Sequence, residues 1–499
     1  MNEADRRYGA FLRLRYRNIL GYTALVCALI GLLIALPATL VAAYPEEKNS
    51  AWLFAATGLL LIALSLGLWR RFCPREKDSL SLDEGAAVVV LSWMVAILAG
   101  AVPFLGMGLD WTRAVFEATS GWTTTGLSVI DVERASPLIL FFRSLMQLAG
   151  GAGLAIIMLS ALTGPAGVSL STAEGRAEQL VANVRQSARL VLFLYGAYVT
   201  FGVAALKLCG LSWFDAVNHA FCALSTGGFS TRPESIGAWR SPAVEGVTIL
   251  LMLLGMTNFL IGYALWRGDL RTVARNGEMR LQALLLPFLL IALYGGVTLR
   301  LDAEPAGALR AALFQAVSAL STTGYATVDP REWNSLGWAL LLMAMLIGGG
   351  AGSTAGGLKL YRVHALARGL LWQLRAQLSP RGLVNQPALW VGEQRRVLDD
   401  AQLRQLGLYA FLYLGTWLAG GCALAAYGHP LADSLFEFAS SLGTVGLSVG
   451  LTSAAAPDGQ LWIQIGGMIL GRLEFFVVFA GLLKLGRDLP LLLGAGARS

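Results

Sequence analysis

Four glycines, Gly126, Gly227, Gly324 and Gly446, recur at intervals of 101, 97 and 122 residues and constrain the fold more than any other feature. Two positions before each stands a hydroxyl residue: Thr124, Ser225, Thr322 and Thr444. One position before stand Thr125, Thr226, Thr323 and Val445. Nine positions before stand Glu117, Asn218, Gln315 and Glu437, all able to accept a hydrogen bond, and ten before stand the apolar Phe116, Val217, Phe314 and Phe436. Agreement at four registers in four copies marks an internal repeat. Each copy reads as a long apolar span, a short mixed segment, a Gly/Thr turn and a second long span. The first spans lie near 86–105, 190–209, 281–299 and 406–427, the second near 138–162, 244–265, 336–358 and 461–483. Two further spans, 18–43 and 51–68, precede the repeats, giving ten full spans and four short segments.

Spans of this length fit a bilayer. Hydrophobic residues make up 56% of the 499, and only 14% are charged, against roughly a quarter in soluble domains. The expected class is therefore an all-α polytopic membrane protein. Two leading transmembrane helices are followed by four helix–pore-loop–helix repeats in a pseudo-fourfold arrangement around one pore, because copies that cross an even number of times share one orientation. The expected divisions are 1–80 (the two-helix region), 81–175, 176–275, 276–385 (with a Gly-rich intramembrane loop) and 386–499. A long basic linker, 364–403, delays the fourth repeat.

Net charge is +7, which here carries topology and no nucleic-acid signal. Alternate loops on one side hold 27 Lys and Arg, those on the other side seven, so the basic side and both termini are expected in the cytoplasm. The basic N-terminus runs into a span and reads as a first membrane helix. The five cysteines lack CxxC spacing and predict neither a disulfide framework nor a metal site.

The short segments hold about a dozen residues and reach little more than halfway across the hydrocarbon at roughly 1.5 Å each. They must dip in and return, and non-helical backbone at that depth is tolerated only where it lines a cavity or is buried in protein. Each half-helix precedes its turn, so its C-terminal end, with its partial negative charge, faces the axis. Four such ends favour a cation, and backbone carbonyls replace its water. Acids such as Asp110, Asp131, Asp215, Asp329 and Asp433 in the opposite loops add a negative vestibule. Glu117, Asn218, Gln315 and Glu437 are expected to brace the turns, with lining of the ion route as the alternative for Glu117 and Glu437.

These residues resemble the TrkH/TrkG/KtrB superfamily of potassium transporters over nearly the whole chain, and the two leading spans are similar to the TrkH-like branch. The strongest local match is Gly348-Gly349-Gly350-Ala351-Gly352-Ser353-Thr354-Ala355-Gly356-Gly357, followed by Leu358-Lys359. The resemblance implies that this stretch is an intramembrane gate below the filter. Gly471-Arg472-Leu473-Glu474 also resembles the family and implies that Arg472 projects into the pore as part of the barrier. Gly255 to Phe259 is a weaker match. The resemblance further implies a homodimer with one pore per protomer, a TrkA-like cytoplasmic ring of nucleotide-binding regulatory subunits, and a place in the bacterial cytoplasmic membrane. The expected function is K+ uptake by channel-like permeation, with K+ as the transported ion and no organic cofactor. A proton- or sodium-coupled monovalent cation carrier is the alternative.

Three enzyme-like patterns carry no weight. Gly446-Leu447-Ser448-Val449-Gly450 fits G-x-S-x-G without a preceding strand, and its counterparts in the other repeats lack it. Gly350, Gly352 and Ala355 fit a dinucleotide pattern inside an apolar span. His219, His364 and His429 lack ligand spacing. No enzyme is expected.

Overall fold

The computed structural model describes residues 3–72, 80–153, 184–301, 304–378, 388–391 and 394–496. The end of the first repeat's second span, 154–162, and the loop after it lie outside the described residues. Among the described residues the fold is helical, apart from one antiparallel hairpin, Ala388–Val391 with Gln394–Val397. The helices are α1 (Glu3–Ala35), α2 (Lys48–Phe72), α3 (Leu82–Leu105), α4 (Trp111–Trp122), α5 (Pro137–Ala152), α6 (Val184–Leu208), α7 (Trp213–Leu224), α8 (Pro242–Met256), α9 (Phe259–Trp266), α10 (Leu270–Arg275), α11 (Gly277–Leu293), α12 (Pro305–Leu320), α13 (Ser335–Ile347), α14 (Leu360–Leu378), α15 (Asp400–Ala425), α16 (Leu431–Gly443), α17 (Asp458–Leu473) and α18 (Phe475–Gly496). Through a π turn, α11 continues to Leu301.

Among the described residues, six helices are long and apolar enough to cross a membrane. They are the two leading spans and the first span of each repeat. The second spans differ from expectation, because none is one straight helix. The first ends at Gly153 (φ 79°), and the second bends by 116° between α8 and α9. The third stops at Gly348 (φ 73°), and the fourth is interrupted at Glu474 (φ 64°). Hydropathy cannot see these breaks, since apolar residues flank each one. The basic linker also differs, holding α14 and the hairpin, with Leu389 and Leu398 buried against Ala365.

The chain packs as two compact bodies: Met1–Trp122, Ala135–Leu192 and Leu473–Ser499 in one, Thr123–Arg134 and Phe193–Arg472 in the other. In the first body, α1 and α2 touch backbone to backbone. A Cβ on Gly31 would stand 2.7 Å from the Gly58 carbonyl oxygen, and one on Gly58 would overlap the Gly31 carbonyl. Only small residues permit this approach. The start of α3 is fixed by a capping box, with Ser81 N donating to Glu84 Oε2 at 2.9 Å, and Arg15 of α1 pairs with the same carboxylate. From α18, Lys484 bridges Asp83 (3.0 Å) and Asp488 (3.2 Å). Gly150 of α5 lies against the Trp122 carbonyl at the end of α4.

The second body holds three of the four short helices, α7, α12 and α16, and the turn that follows α4. Gly255 of α8 and Gly471 of α17 press on the Leu224 and Leu442 carbonyls, which seats the ends of α7 and α16. The short helices have 12, 12, 16 and 13 residues, so the third is longer than expected.

The α1–α2 contact generates a prediction. Gly58→Leu forces the helices apart and lowers the melting temperature in detergent by a few degrees, an overpacking cost of about 1–3 kcal/mol. An unchanged melting curve would show that the glycine contact contributes nothing.

Candidate cation pathway

The four turns share one backbone signature. Thr124, Thr226, Thr322 and Thr444 have φ of 57°, 51°, 58° and 51°. Two positions on, Gly126, Gly228, Gly324 and Gly446 have φ of 88°, 75°, 78° and 97°. A left-handed threonine is strained by roughly 1–2 kcal/mol, so four of them require a surrounding structure that holds them. A left-handed residue at every second position also turns successive carbonyls to one side, whereas a strand alternates them.

The turns close into a ring. A Cβ on Gly126 would overlap the Gly227 carbonyl oxygen, and one on Gly228 the Thr323 carbonyl. A Cβ on Gly324 would overlap the Val445 carbonyl, and one on Gly446 would lie 2.5 Å from the Thr125 carbonyl. Each glycine thus faces a carbonyl of the next turn, in the order first, second, third, fourth and back to first. The middle residues look away from this circuit. Thr125 Oγ1 bonds Thr123 Oγ1, and Thr323 Oγ1 bonds Ser321 Oγ, both at 2.7 Å.

This geometry corrects the second repeat by one residue. The equivalent of Thr124-Thr125-Gly126 is Thr226-Gly227-Gly228, displacing the expected Ser225-Thr226-Gly227. Ser225 is the ordinary C-cap of α7, with φ −75°. The Gly227-Gly228 pair and the hydroxyls at both 225 and 226 made two alignments equally good. The residue two beyond the glycine decides between them: Ser128, Ser230 and Ser448 match, with Ala326 in the third copy.

The corrected register puts His219, in place of Asn218, at the bracing position. Its Nδ1 lies 2.8 Å from the Asp215 carbonyl, which can only accept, so Nδ1 carries the proton. Nε2 then accepts from the Ser230 hydroxyl at 3.0 Å. The Tyr325 ring of the third turn stacks on His219, and its hydroxyl donates to the Phe229 carbonyl at 3.1 Å. Asn218 Nδ2 bonds the Phe214 carbonyl of its own helix. Glu437 is the fullest brace. It accepts from Ser448 Oγ (2.7 Å), Val449 N (2.9 Å), Thr452 N (3.0 Å) and the Thr452 hydroxyl. The serine of the G-x-S-x-G match therefore serves this carboxylate. Gln315 differs from expectation by donating, from Nε2 to the Val328 carbonyl at 3.2 Å. Glu117 is ion-paired with Arg143 Nε at 2.8 Å, both side chains fully buried. No sequence pattern marks Arg143 for this role.

The Gly-rich loop, Gly348 to Lys359, packs against the starts of three turns, with Ser353 to Gly357 buried. Gly356 N donates to Thr322 Oγ1 at 2.8 Å, and the Thr226 hydroxyl lies 3.2 Å from that of Thr354. A Cβ on Gly356 would overlap Thr444 Oγ1 and the Gly443 carbonyl. The Thr354 hydroxyl is shared between the Leu224 (3.0 Å) and Gly255 (2.8 Å) carbonyls, and Ser353 Oγ closes on Gly350 O at 2.6 Å. Gly348 and Gly357 touch each other, and Gly349 meets Ala355 and Met256. Backbone bonds lace the loop to the α8–α9 break: Gly350 N to Met256 O (2.9 Å), Thr354 N to Gly255 O (3.1 Å) and Phe259 N to Gly352 O (3.3 Å). Lys359, strained at φ 78°, hands the chain to α14 and bonds Ile347 O at 2.8 Å. Arg472 Nη1 donates to the Thr354 carbonyl at 2.8 Å, so Arg472 and the loop are in direct contact.

The TrkH family profile, described as "Cation transport protein", matches residues 52–481. The chain belongs to the TrkH family. This is a transport family and not an enzyme family, and the member described here is an integral membrane protein. An uncharacterized cation transporter of Methanocaldococcus jannaschii is 30% identical, over 91% of this chain and 92% of its own. The Trk system potassium uptake protein TrkH of Vibrio parahaemolyticus is 29% identical, over 93% and 98%. The crystal structure of the potassium transporter TrkH from Vibrio parahaemolyticus superposes with a TM-score of 0.82 at 26% identity, covering 94% of this chain and 98% of that one.

Charge in the acid-rich loops of this TrkH family member is more balanced than residue counts suggest. Five of the seven bases there are paired: Arg113 with Asp110, Arg134 with Asp131, Arg232 with Asp215, Arg310 with Glu245 and Arg331 with Asp329. Hydrogen bonding to the Arg331 guanidinium holds Asp329 below the usual carboxylate range, and the Arg113 backbone N–H does the same for Asp110. The remaining negative charge is the excess of acids over bases.

The corrected register is testable. Gly228→Ala combines a left-handed φ with overlap of the Thr323 carbonyl, whereas Gly227 has an ordinary φ. Gly228→Ala should lower ion flux at least tenfold, and Gly227→Ala should reduce it less. The reverse order in a liposome flux assay would restore the uncorrected alignment.

Proposed function

We propose that this chain takes up K+ across the bacterial cytoplasmic membrane by channel-like permeation. The filter is the ring of Thr124 to Gly126, Thr226 to Gly228, Thr322 to Gly324 and Thr444 to Gly446. The observation that carries the reading is the closed circuit of glycine–carbonyl approaches among the four turns. It brings four sets of peptide oxygens onto one axis, just beyond the C-terminal ends of four short helices. Those ends carry partial negative charge, so the axis attracts a cation and repels an anion. The buried Thr124 and Thr444 hydroxyls have no hydrogen-bond partner among the described residues, which suits them to ligate a passing ion. K+ is the cargo, and no organic cofactor takes part. The name of the Vibrio parahaemolyticus relative supports potassium as the ion.

The Gly-rich loop, with Arg472 on its Thr354 carbonyl, is the gate. It lies at the turn ends reached last by an ion entering through the acid-rich loops. It must withdraw for the ion to leave. His219, Gln315 and Glu437 hold the second, third and fourth turns rigid. The repeats divide the chain at 1–80, 81–175, 176–275, 276–385 and 386–499, with both termini cytoplasmic. A homodimer with a TrkA-like nucleotide-binding ring on the basic face completes the assembly.

Isotope flux into liposomes tests this directly. The intact chain should carry K+ down its gradient in preference to Na+, and Arg472→Ala should raise the flux severalfold. Flux that stops without a proton or sodium gradient would favour a coupled carrier. Equal or slower flux in Arg472→Ala would remove that residue from the barrier.

A further inference from the structure

The gate loop is held by one group that neither the ring nor Arg472 explains. Glu278 is the second residue of α11, whose first turn is capped by Asn276; Asn276 Oδ1 accepts from Glu278 N (2.9 Å) and Met279 N (3.2 Å). The Glu278 side chain is buried, and its Oε1 accepts the Ala351 backbone N–H at 2.7 Å. Ala351 sits at the tip of the loop. Its neighbours Gly350 and Gly352 are the residues laced to Met256 and Phe259. A carboxylate in the first turn of a helix is stabilised as an anion, and a bond from an amide to an anion is about twice as strong as a neutral one. Removing the acceptor leaves a half-buried N–H unpaired, which favours a loop that has moved away. The same helix end is seated on α14, the helix that leaves the loop, because a Cβ on Gly277 would lie 2.6 Å from the His364 ring.

We infer that Glu278 is a positioning residue that latches the Gly-rich loop in its docked state through the Ala351 amide. The inference rests on the gate reading above, and the test separates the two. Glu278→Ala and Glu278→Gln are compared with Arg472→Ala in full-length chain reconstituted in liposomes. In parallel, Ala351→Cys is labelled with a membrane-impermeant thiol reagent from the basic face. Cysteine at 351 keeps the backbone donor. Glu278→Ala should raise potassium flux roughly three- to tenfold and speed labelling by a similar factor. Glu278→Gln, which keeps a neutral acceptor, should fall between it and the unaltered chain, and K+ over Na+ preference should not change.

If Arg472→Ala speeds flux while both Glu278 variants leave flux and labelling unchanged, the latch is wrong and the gate reading stands. If no variant changes flux or labelling, both fail. Should Glu278→Ala not assemble, faster labelling in Glu278→Gln still supports the latch, and unchanged labelling there overturns it.

Discussion

A peptide group inside a membrane must find its hydrogen bond within the protein, and this requirement organises the structure. Every helix break exposes N–H and carbonyl groups that water cannot reach. Here two breaks answer each other. The Gly-rich loop after α13 and the α8–α9 kink exchange three backbone bonds, so each supplies what the other lacks. Glycines at 348, 349, 350 and 356 allow the contact, because a Cβ at each would meet backbone or a packed side chain. The irregular stretch is therefore a docked part with defined partners. Its partners reach from Leu224 in the second repeat through Thr322 in the third to Gly443 in the fourth.

The ring above it obeys the same rule with different means. Left-handed threonines and glycines turn carbonyls inward, and the structure behind them supplies the restraint. That restraint differs between the second, third and fourth repeats: an imidazole at His219, an amide donor at Gln315, and a four-bond carboxylate at Glu437. Glu437 and His219 do equivalent work by different chemistry, since each accepts from the serine two residues beyond its glycine.

Much of this was legible in the residues. The repeat, the long spans and the re-entrant segments follow from hydropathy and from four aligned glycines, and the family resemblance is carried by the motifs at Gly348 to Gly357 and Gly471 to Glu474. Other features were not. Hydropathy counts apolar residues and is blind to backbone direction, so Met256-Thr257-Asn258-Phe259 passed as the middle of a span. In the second repeat Gly227-Gly228 satisfies the glycine register twice, and only the serine two residues beyond the glycine separates the two alignments. His219 acts as a hydrogen-bond acceptor, a role that metal-ligand spacing does not report. Arg143 and Glu278 left no signal, since a single charge within or beside an apolar run does not say which backbone or carboxylate it will meet.

One chain encodes all four quarters of the ring, and this has a consequence for how such a protein can change. In an assembly of four identical subunits, any substitution lands in every quadrant at once, so the smallest available step is fourfold. Here His219 stands where the fourth repeat has a carboxylate and the third an amide, so the quadrants already differ. A single-chain ring can be tuned in quarter steps, one side of the ion at a time.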